Sequence, residues 1–359
     1  MLQQHRIDGL LHYMAEMDLE QMVIRNPVLI RYFLGYQPRG NDRATILYVS
    51  KNNGVKLIVN ELTVFPKDLG LELVLHGDQD DVCALIAQHT LHDKPLGFDG
   101  EYPAKWLLPL RRHNAARDYV LADRALNLQR AHKDENEMEL LREASRMNDR
   151  VMQKARTLFH DGVTEREVSR QLSALFKEEG ADSPGWAIVA FGENAAHVHH
   201  TPGDRQLKAG DAILIDMGAP RGGYHSDMTR TFFWKSVTDH QREVYELVKK
   251  ANLAAEAAFK PGLLCSQADL IARDLITAGG YGPYFLHRLG HYIGVDLHDP
   301  GDIAWYNHDP IEATMAFSCE PGIYLEGQFG VRIEDLVIVT ETGCEILNSD
   351  NKELEILGL

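Results

Sequence analysis

The sequence contains few cysteines and no closely spaced pair of them. Its four cysteines are scattered without a CxxC motif, which excludes a disulfide framework and predicts reduced thiols in a reducing compartment. No apolar run approaches the roughly 18 residues that a bilayer-spanning helix needs. The N-terminal stretch MLQQHRIDGLLHYMAEMDLEQ also lacks the order of basic, apolar and small residues that marks a signal peptide. These absences predict a soluble, cytoplasmic protein without a membrane partner.

The chain has no excess of basic residues either. Lys and Arg number 37 against 53 Asp and Glu, which gives a formal net charge of −16. A protein without basic excess is poorly suited to neutralise phosphates, so we expect no nucleic-acid partner. Bound cations would offset part of this acidity, and a solvated acidic surface is the alternative explanation.

The length of 359 residues is sufficient for two domains, each with its own core. The first part alternates helices with short strands, which predicts an α/β domain over residues 1–122 and a polar linker over 123–133. It shows no catalytic constellation, so its predicted role is architectural: covering a site or forming a dimer contact. The predicted helices are 5–17, 80–89 and 103–112, and the predicted strands are 21–25, 44–50, 55–60, 72–75, 95–98 and 118–121, with an Asn-Gly hairpin turn at 51–54.

The second part, residues 134–359, is predicted to be an α+β domain with helices on a mostly antiparallel sheet. Asp134 with Glu137, and Thr164 with Glu167, have the spacing of capping boxes that open two helices. The predicted helices are 134–160, 164–179, 237–260 and 266–278, and the predicted strands are 186–191, 212–217, 228–233, 315–319 and 331–339.

Four carboxylates lie in or beside apolar segments that otherwise have the composition of a buried core. Asp216 lies inside the apolar run 212–217, where an unpaired carboxylate costs several kcal/mol. Asp227 comes just before the next apolar run, and the turn residues between the two runs bring both acids side by side. Glu320 and Glu334 repeat the anomaly. One buried acid is more often paired with an arginine, but four in one domain favour a shared cation cluster.

Histidines cluster in two places. The segment LHRLGHYIGVDLHD offers His287, His291 and His298 among glycines, which allow backbone to approach a substrate or metal closely. In the segment AAHVHHTP, His197 and His199 alternate and would share a face on an extended chain. Oxygen-rich sites that share carboxylates suit hard or borderline divalent ions, and a histidine widens the choice to cobalt or zinc. The spacing therefore predicts a dinuclear metal site with accessory histidines.

These motifs together resemble those of the pita-bread metallopeptidases, a family that includes Xaa-Pro dipeptidase (prolidase), aminopeptidase P and methionine aminopeptidase. The resemblance covers residues 134–356 and rests on five separated motifs in the right order. The N-terminal domain resembles the creatinase-type α/β domain in length and position. The matching segments are IDMG at 215–218, SDMTR at 226–230, the histidine and glycine segment 286–299, EPG at 320–322 and RIED at 332–335.

The resemblance implies two divalent ions per subunit, with Mn²⁺ expected and Co²⁺ or Zn²⁺ as the other candidates. The two carboxylates that bridge the metals in the family correspond to Asp227 and Glu334. Asp216 corresponds to a ligand of one ion, and His291 with Glu320 to ligands of the other. A homodimer is also implied, because homodimers are usual among similar proteins.

Catalytic and substrate-binding roles follow from the same resemblance. His199 corresponds to the substrate histidine before a proline-containing turn, and His298 to the catalytic histidine seven positions after the ligand. His287 matches a further active-site histidine of part of the family. Glu320 is implied as the proton acceptor that passes the proton to the leaving nitrogen, while one metal and His298 stabilise the oxyanion.

The implied activity is metal-dependent hydrolysis of the bond before proline in Xaa-Pro dipeptides, with an Xaa-Pro aminopeptidase acting on longer peptides as the alternative. The short first domain favours the dipeptidase. One departure concerns the arginine that prolidases present after the catalytic histidine, because none stands between His298 and Glu320. Arg288 and Arg332 are the remaining substrate-binding candidates. A non-enzymatic peptide-binding relative is less expected, because such relatives typically lose ligands.

Overall fold

The computed structural model describes residues 2–36, 43–66 and 68–359. The chain divides into two compact units, Met1–Arg130 and Ala131–Leu359. Residues 123–133, predicted to form a linker, are helical over Asp123–Ala131, because their apolar residues Ala125 and Leu126 are buried and give the helix a face to pack. No helix in the described part of the chain combines the length and the apolar character that a bilayer crossing requires.

The first unit is an α/β domain built on one mixed sheet. The predicted elements are confirmed to within two residues at each end, and a helix that the prediction omitted follows the first strand. The helices are α1 Gln4–Glu16, α2 Pro27–Leu34, α3 Val82–His89, α4 Ala104–Arg112 and α5 Asp123–Ala131, and the strands are β1 Gln21–Ile24, β2 Thr45–Ser50, β3 Gly54–Asn60, β4 Glu72–His76, β5 Pro95–Phe98 and β6 Asp118–Leu121.

The strand order in this sheet is β4-β3-β2-β1-β5-β6. Strand β2 is antiparallel to both of its neighbours, and the other pairs are parallel. The predicted hairpin between β2 and β3 is confirmed, with Gly54 at φ +73°. The omitted helix α2 has clear start signals: Asn26 accepts from the amides of Val28 and Leu29, and Pro27 occupies the first helical position.

The second unit holds the remaining helices and strands. Its helices are α6 Glu135–Ala155, α7 Glu165–Glu178, α8 Asp239–Ala258 and α9 Cys265–Ala278. Its strands are β7 Trp186–Phe191, β8 Ala212–Gly218, β9 Pro220–Arg221, β10 Tyr224–His225, β11 Met228–Trp234, β12 Gly290–Tyr292, β13 Asp299–Ile303, β14 Ala316–Cys319, β15 Gly322–Leu325, β16 Phe329–Arg332, β17 Asp335–Val339, β18 Cys344–Ile346 and β19 Ile356–Leu357.

Two sheets carry the core of this unit. The order is β19-β11-β8-β7 in one and β13-β12-β14-β17-β18 in the other, and β15 pairs with β16 as a separate hairpin. Apolar residues of α6 and α7 pack on the four-stranded sheet, while those of α8 and α9 pack on the five-stranded sheet and the hairpin. All the pairings are antiparallel except that of β11 with β19. The α+β prediction for this part is therefore confirmed.

Helix boundaries in this unit follow local chemistry. Both predicted capping boxes are confirmed, since Asp134 with Glu137 and Thr164 with Glu167 satisfy the first amides of α6 and α7 reciprocally. Helix α6 ends at Ala155 rather than near residue 160, because a 3₁₀ turn, Arg156–Leu158, tightens its last residues.

The prediction of one continuous strand over 331–339 is wrong. The chain leaves the β15–β16 hairpin after Arg332 and enters the five-stranded sheet at Asp335. At this break the amide of Glu334 donates to the carbonyl of Thr229 at 3.1 Å, outside either strand ladder. Behind it, the buried guanidinium of Arg230 donates to the Glu334 carbonyl at 2.7 Å. Glu334 is thus held at a junction between sheets and not in a strand.

Strands β8 and β11 are antiparallel, and Asp216 pairs with Thr229 in their register. Asp227 therefore lies just outside β11, beside the end of β8 that carries Asp216. Glu320 follows β14 directly. The ends of several strands thus deliver carboxylates to one place.

Candidate metal centre

One cavity of about 290 Å³ in the second unit is lined by every residue that the sequence predicted for the site. It is not the largest cavity, because one of about 840 Å³ lies beside Trp106 in the first unit. The cluster of side chains that could hold a metal lies in the smaller one, so chemistry and not size locates the site. The predicted residues in its lining are His199, Asp216, Asp227, His287, Arg288, His291, His298, Glu320, Arg332 and Glu334.

Acidic oxygens and one imidazole nitrogen converge at the bottom of this cavity. Asp227, His291 and Glu334 each offer a ligand atom, and these atoms all lie within 4.8 Å of one another. The Nε2 of His291 is 3.5 Å from Oδ2 of Asp227 and 3.6 Å from Oε1 of Glu320. A cation placed among them would be reached by ligands from four different segments of the chain.

Two carboxylate oxygens in the cluster lack a partner. Oδ1 of Asp216 and Oδ1 of Asp227 are buried without a hydrogen bond from any described residue. The other oxygen of Asp216 accepts from Nη2 of Arg332 at 2.5 Å. Buried polar atoms are otherwise almost always satisfied, so two orphaned acceptors side by side fit a bound cation. The donor set, oxygen-rich with one histidine, suits borderline divalent ions.

The electrostatics of the cluster support the same interpretation. Burial, followed by the charge of Asp216, raises the pKa of Asp227 well above its usual range. Burial, followed by the charge of Asp227, does the same to the pKa of Glu334. Burial raises the pKa of Glu320 to about 7 even though His291 opposes the shift. Without cations these acids need protons, and divalent ions would replace the protons.

The raised pKa values predict that the metal-free protein loses stability as the pH rises. A carboxyl group whose pKa is higher in the folded chain stabilises the fold fully below its unfolded pKa, and this contribution disappears as the pH rises through the folded pKa. For Glu320 the window runs from 4.5 to about 7, which corresponds to about 3 kcal/mol. We expect the Tm of the metal-free protein to fall between pH 5 and pH 8.

The control for this effect is Glu320→Gln, whose metal-free Tm should fall less steeply over the same range. Saturating Mn²⁺ should stabilise the wild-type protein most at pH 8, where protons no longer compete for the carboxylates. A metal-free Tm that stays level or rises from pH 5 to pH 8 would contradict the clustering of the acids.

The orientation of His291 is set by the strand that carries it. Its Nδ1 lies 3.1 Å from the carbonyl of Tyr292, a geometry that places the proton on Nδ1 and leaves the Nε2 lone pair toward the carboxylates. The backbone of His291 is also fixed, because its amide donates to Oγ of Ser318 at 3.0 Å. Gly290 is required here, since a Cβ would lie 1.8 Å from the carbonyl oxygen of Ser318.

A chain of hydrogen bonds links the acids to the cavity wall, and sequence reasoning missed two of its members. Thr229 donates to Glu334 at 2.7 Å and accepts from Nε of Arg332 at 3.0 Å. The hydroxyl of Tyr324 accepts from Nη1 of Arg332 at 2.8 Å and lies 2.7 Å from Nε2 of His287. The SDMTR and EPGIY segments contain Thr229 and Tyr324, but only the tertiary contacts indicate what these residues do.

Two of the predicted histidines of the cavity, His287 and His298, lie where burial favours the neutral imidazole. Burial, followed by the charge of Arg332, lowers the pKa of His287 to about 3. Burial, followed by the charges of His291 and Arg288, lowers the pKa of His298 to about 4. The ring of His298 lies 4.1 Å from that of His291, centroid to centroid. A neutral imidazole at this position can donate one hydrogen bond without adding charge.

The two candidate arginines differ in exposure and in how many of their guanidinium donors already bind protein groups. Arg332 is 2% exposed, and its Nε, Nη1 and Nη2 atoms all donate to protein groups. Arg288 is about one-third exposed, and its Nε lies 3.1 Å from Oδ1 of Asp302. Asp302 also accepts from the hydroxyl of Tyr306 at 2.9 Å. Of the two, Arg288 is the one with donors available to a ligand.

The fold and the acid–histidine cluster together define a metal-dependent peptidase. A model described as metallopeptidase family M24 matches residues 139–341, and a model of the creatinase/prolidase N-terminal domain matches residues 6–132. The chain belongs to metallopeptidase family M24. The resemblance found in the sequence is thereby confirmed, together with the fold class: a creatinase-type domain followed by a pita-bread catalytic domain.

Similar proteins match along almost the whole chain. The Xaa-Pro dipeptidase of Pyrococcus furiosus is 31% identical over 357 residues, which cover 97% of this chain and 99% of that protein. The solved structure of a dipeptidase from Mycobacterium ulcerans has a TM-score of 0.92 at 30% identity and covers 99% of this chain and 98% of that one. The X-Pro aminopeptidase of Thermotoga maritima has a TM-score of 0.83 at 28% identity, covering 96% and 100%.

Proposed function

We propose that this metallopeptidase hydrolyses the imide bond before proline in Xaa-Pro dipeptides. The observation that carries the proposal is the single cavity that gathers all five predicted metal ligands in a chain similar to an Xaa-Pro dipeptidase over nearly its full length. The imide nitrogen of proline has no N–H, so a protease that hydrogen-bonds that group loses the contact. Specificity would then come from a site shaped for the pyrrolidine ring.

Two divalent ions are proposed as the cofactor, with Mn²⁺ first and Co²⁺ or Zn²⁺ as the other candidates. Asp227 and Glu334 would contact both ions, Asp216 one of them, and His291 with Glu320 the other. The orphaned oxygens of Asp216 and Asp227 support this arrangement. When bound, such ions supply a Lewis acid for the scissile carbonyl and a water of lowered pKa as nucleophile.

The remaining steps of the reaction are assigned to protein side chains. Glu320 would accept the proton of the attacking water at a carboxylate oxygen and pass it to the leaving proline nitrogen. His298, neutral, would donate a hydrogen bond to the developing oxyanion. His199 would orient the scissile carbonyl or the proline side, and His287, fixed by Tyr324, would position the substrate.

The test is hydrolysis of Ala-Pro beside Ala-Pro-Ala by metal-depleted protein reloaded with Mn²⁺. Cleavage of the dipeptide with little cleavage of the tripeptide is expected. Preference for the tripeptide would support instead an Xaa-Pro aminopeptidase, the alternative suggested by the missing arginine between His298 and Glu320. Hydrolysis of neither peptide by protein that holds two ions would refute both.

Arg288 is proposed to bind the terminal carboxylate of the dipeptide. Its partly exposed side chain lines the cavity, and its charge helps to lower the pKa of His298, so it lies near the reacting centre. Arg332 would contribute to the substrate site more through its bonds to Asp216 and Tyr324 than through direct contact.

Arg288→Met is therefore expected to lower kcat/KM for Ala-Pro by about 10- to 100-fold, since charge-assisted hydrogen bonds are worth roughly 1.5–3 kcal/mol. The same variant should change kcat/KM for prolinamide-terminated Ala-Pro-NH₂ by less than about threefold, because that substrate has no carboxylate. Arg242→Met, at an exposed arginine of α8, is the control and should match wild type on both substrates. An equal loss on both substrates would exclude Arg288 as the anchor.

We further propose a homodimer in the cytoplasm without nucleic-acid or membrane partners, with domains at 1–122 and 134–359. The four unpaired cysteines and the net charge of −16 support the compartment and the absence of nucleic acid. Light scattering of the purified protein would test the dimer directly, and a monomeric mass at micromolar concentration would contradict it.

A further inference from the structure

A buried glutamate outside the metal cluster holds one loop of the cavity in place. Glu165 is the first residue of α7, and its side chain is fully buried. Its Oε1 accepts from the amide of Phe191 and from Nδ2 of Asn194, both at 2.9 Å. Its Oε2 accepts from Nε2 of His200 at 2.7 Å and from the amide of Gly203 at 3.0 Å. Each oxygen thus accepts two hydrogen bonds.

All four donors belong to one segment, residues 191–203, and His199 lies within it. Phe191 and Asn194 stand before His199, and His200 and Gly203 stand after it. The carboxylate therefore ties both arms of the loop to the same point, with His199 at the cavity between them. Because α7 packs on the four-stranded sheet, the loop is anchored to the rigid core of the unit.

The opposite side of the loop is also closely packed. Gly330 in β16 approaches it so closely that a Cβ there would lie 2.0 Å from the carbonyl oxygen of Ala195. The loop is held between the carboxylate of Glu165 and the β15–β16 hairpin, which also carries Tyr324 and Arg332. A shift of the loop toward either side would break hydrogen bonds or overlap backbone atoms.

An exposed ion pair joins the same helix to Asp204, the residue just after the loop, and provides a contrast. Arg166 contacts Asp204 at 2.8 Å, but their side chains are 48% and 81% exposed. Exposed pairs contribute little, with a median of roughly 0–1 kcal/mol. A buried carboxylate with four donors has no water to replace it, so its removal leaves several buried groups unpaired.

We propose that Glu165 is a positioning residue that fixes His199 in its reactive orientation by holding the loop 191–203. The proposal rests on the proposed function, because His199 acts there on the substrate. Glu165 is not among the residues that line the cavity or form the metal cluster, so its effect should pass through the loop and leave metal binding unchanged.

The decisive variant is Glu165→Gln, which keeps the size of the side chain but replaces one acceptor oxygen by an NH₂ group that faces two donors. We expect kcat/KM for Ala-Pro to fall about 10- to 100-fold, the effect of a misplaced group of about 1 Å. The content of bound Mn²⁺ should match wild type. Asp204→Asn, immediately after the loop, is the matched control and should stay within about twofold of wild type.

A double-mutant cycle with His199→Ala distinguishes positioning from general destabilisation. If Glu165 acts through His199, adding Glu165→Gln to His199→Ala should cost less than about threefold more. Losses that multiply in the double variant, an unchanged rate in Glu165→Gln, or a parallel loss of metal would each overturn the proposal. Should Glu165→Gln fail to fold, His200→Leu, which removes one donor, takes its place in the cycle with the same expectations.

Hydrogen exchange of the metal-free protein provides a readout that does not depend on activity. Glu165→Gln should raise exchange in peptides from residues 191–203 and leave those from 212–234 unchanged. Exchange that is faster throughout the protein, or exchange that is unchanged in the loop, would overturn the positioning role. If wild-type protein does not cleave Ala-Pro but the loop responds as expected, the proposed function fails while the role of Glu165 in holding the loop stands.

Discussion

Replacing either of the acids proposed to bridge the ions, as Asp227→Ala or Glu334→Ala, is expected to remove both metal ions and lower kcat/KM for Ala-Pro by at least about 1,000-fold, or ~4 kcal/mol of transition-state stabilisation. One ligand atom from each of these side chains lies within 4.8 Å of the other and of a ring nitrogen of His291. Because each would contact both ions, no remaining ligand set could keep the pair together.

Metal content by mass spectrometry and steady-state rates measure this result. The exposed acid of the β15–β16 turn gives the control Glu326→Ala, which should retain two ions and full activity. Full activity in either bridging variant would overturn the assignment of the site.

For the stability of the metal-free protein, we expect a substitution at Asp227 to have the opposite effect and to be favourable. In the metal-free protein, Asp227 is buried beside Asp216, and this raises its pKa. Asp227→Asn removes the repulsion and should raise the Tm of the metal-free protein at pH 8, although it abolishes activity. A lower Tm at that pH would show that the Asp227 carboxylate stabilises the fold of the metal-free protein, contrary to this prediction.

His298→Ala is expected to keep both ions and lower kcat for Ala-Pro by about 100- to 1,000-fold, the usual cost of losing one oxyanion donor. His298 lines the cavity beside His291 but is not among the clustered ligand atoms, and its pKa of about 4 keeps it neutral at pH 7. The loss should appear in kcat more than in KM, because the hydrogen bond strengthens only as the oxyanion forms.

His298→Gln, which retains an N–H donor, should recover part of the lost rate. His160→Ala, at an exposed histidine, should behave as wild type. Loss of one ion from His298→Ala would instead make this residue a ligand, and an unchanged kcat would remove it from the mechanism.

The candidate metal ligands stand out in the sequence because they violate a rule that strands otherwise obey. A carboxylate at Asp216, inside an apolar run, costs several kcal/mol unless something pairs with it, and this cost is visible without coordinates. The capping boxes at Asp134 and Thr164 are equally local, since both partners of each lie within one turn of helix.

Other features depended on contacts that sequence spacing does not encode. The run 331–339 has the composition of one strand, yet it breaks at Glu334 because the amide there donates to Thr229, more than 100 positions earlier in the chain. Likewise, Tyr324 is an unremarkable aromatic in the sequence. Its role between His287 and Arg332 exists only where two separate segments meet.

The sequence by itself determined which residues could not be ordinary core or surface, because the free energy of burying a charge is a local property of each residue. These residues indicated a metal site, the motifs around them indicated the family by resemblance, and apolar periodicity with capping signals predicted most helices and strands. The tertiary structure alone decided which groups face one another: that Arg332 is committed to Asp216 while Arg288 keeps free donors, and that Glu165 holds the loop of His199. Such pairings depend on the closure of long loops and the packing of whole sheets. The free energies of these events cannot be read from any short segment of the sequence.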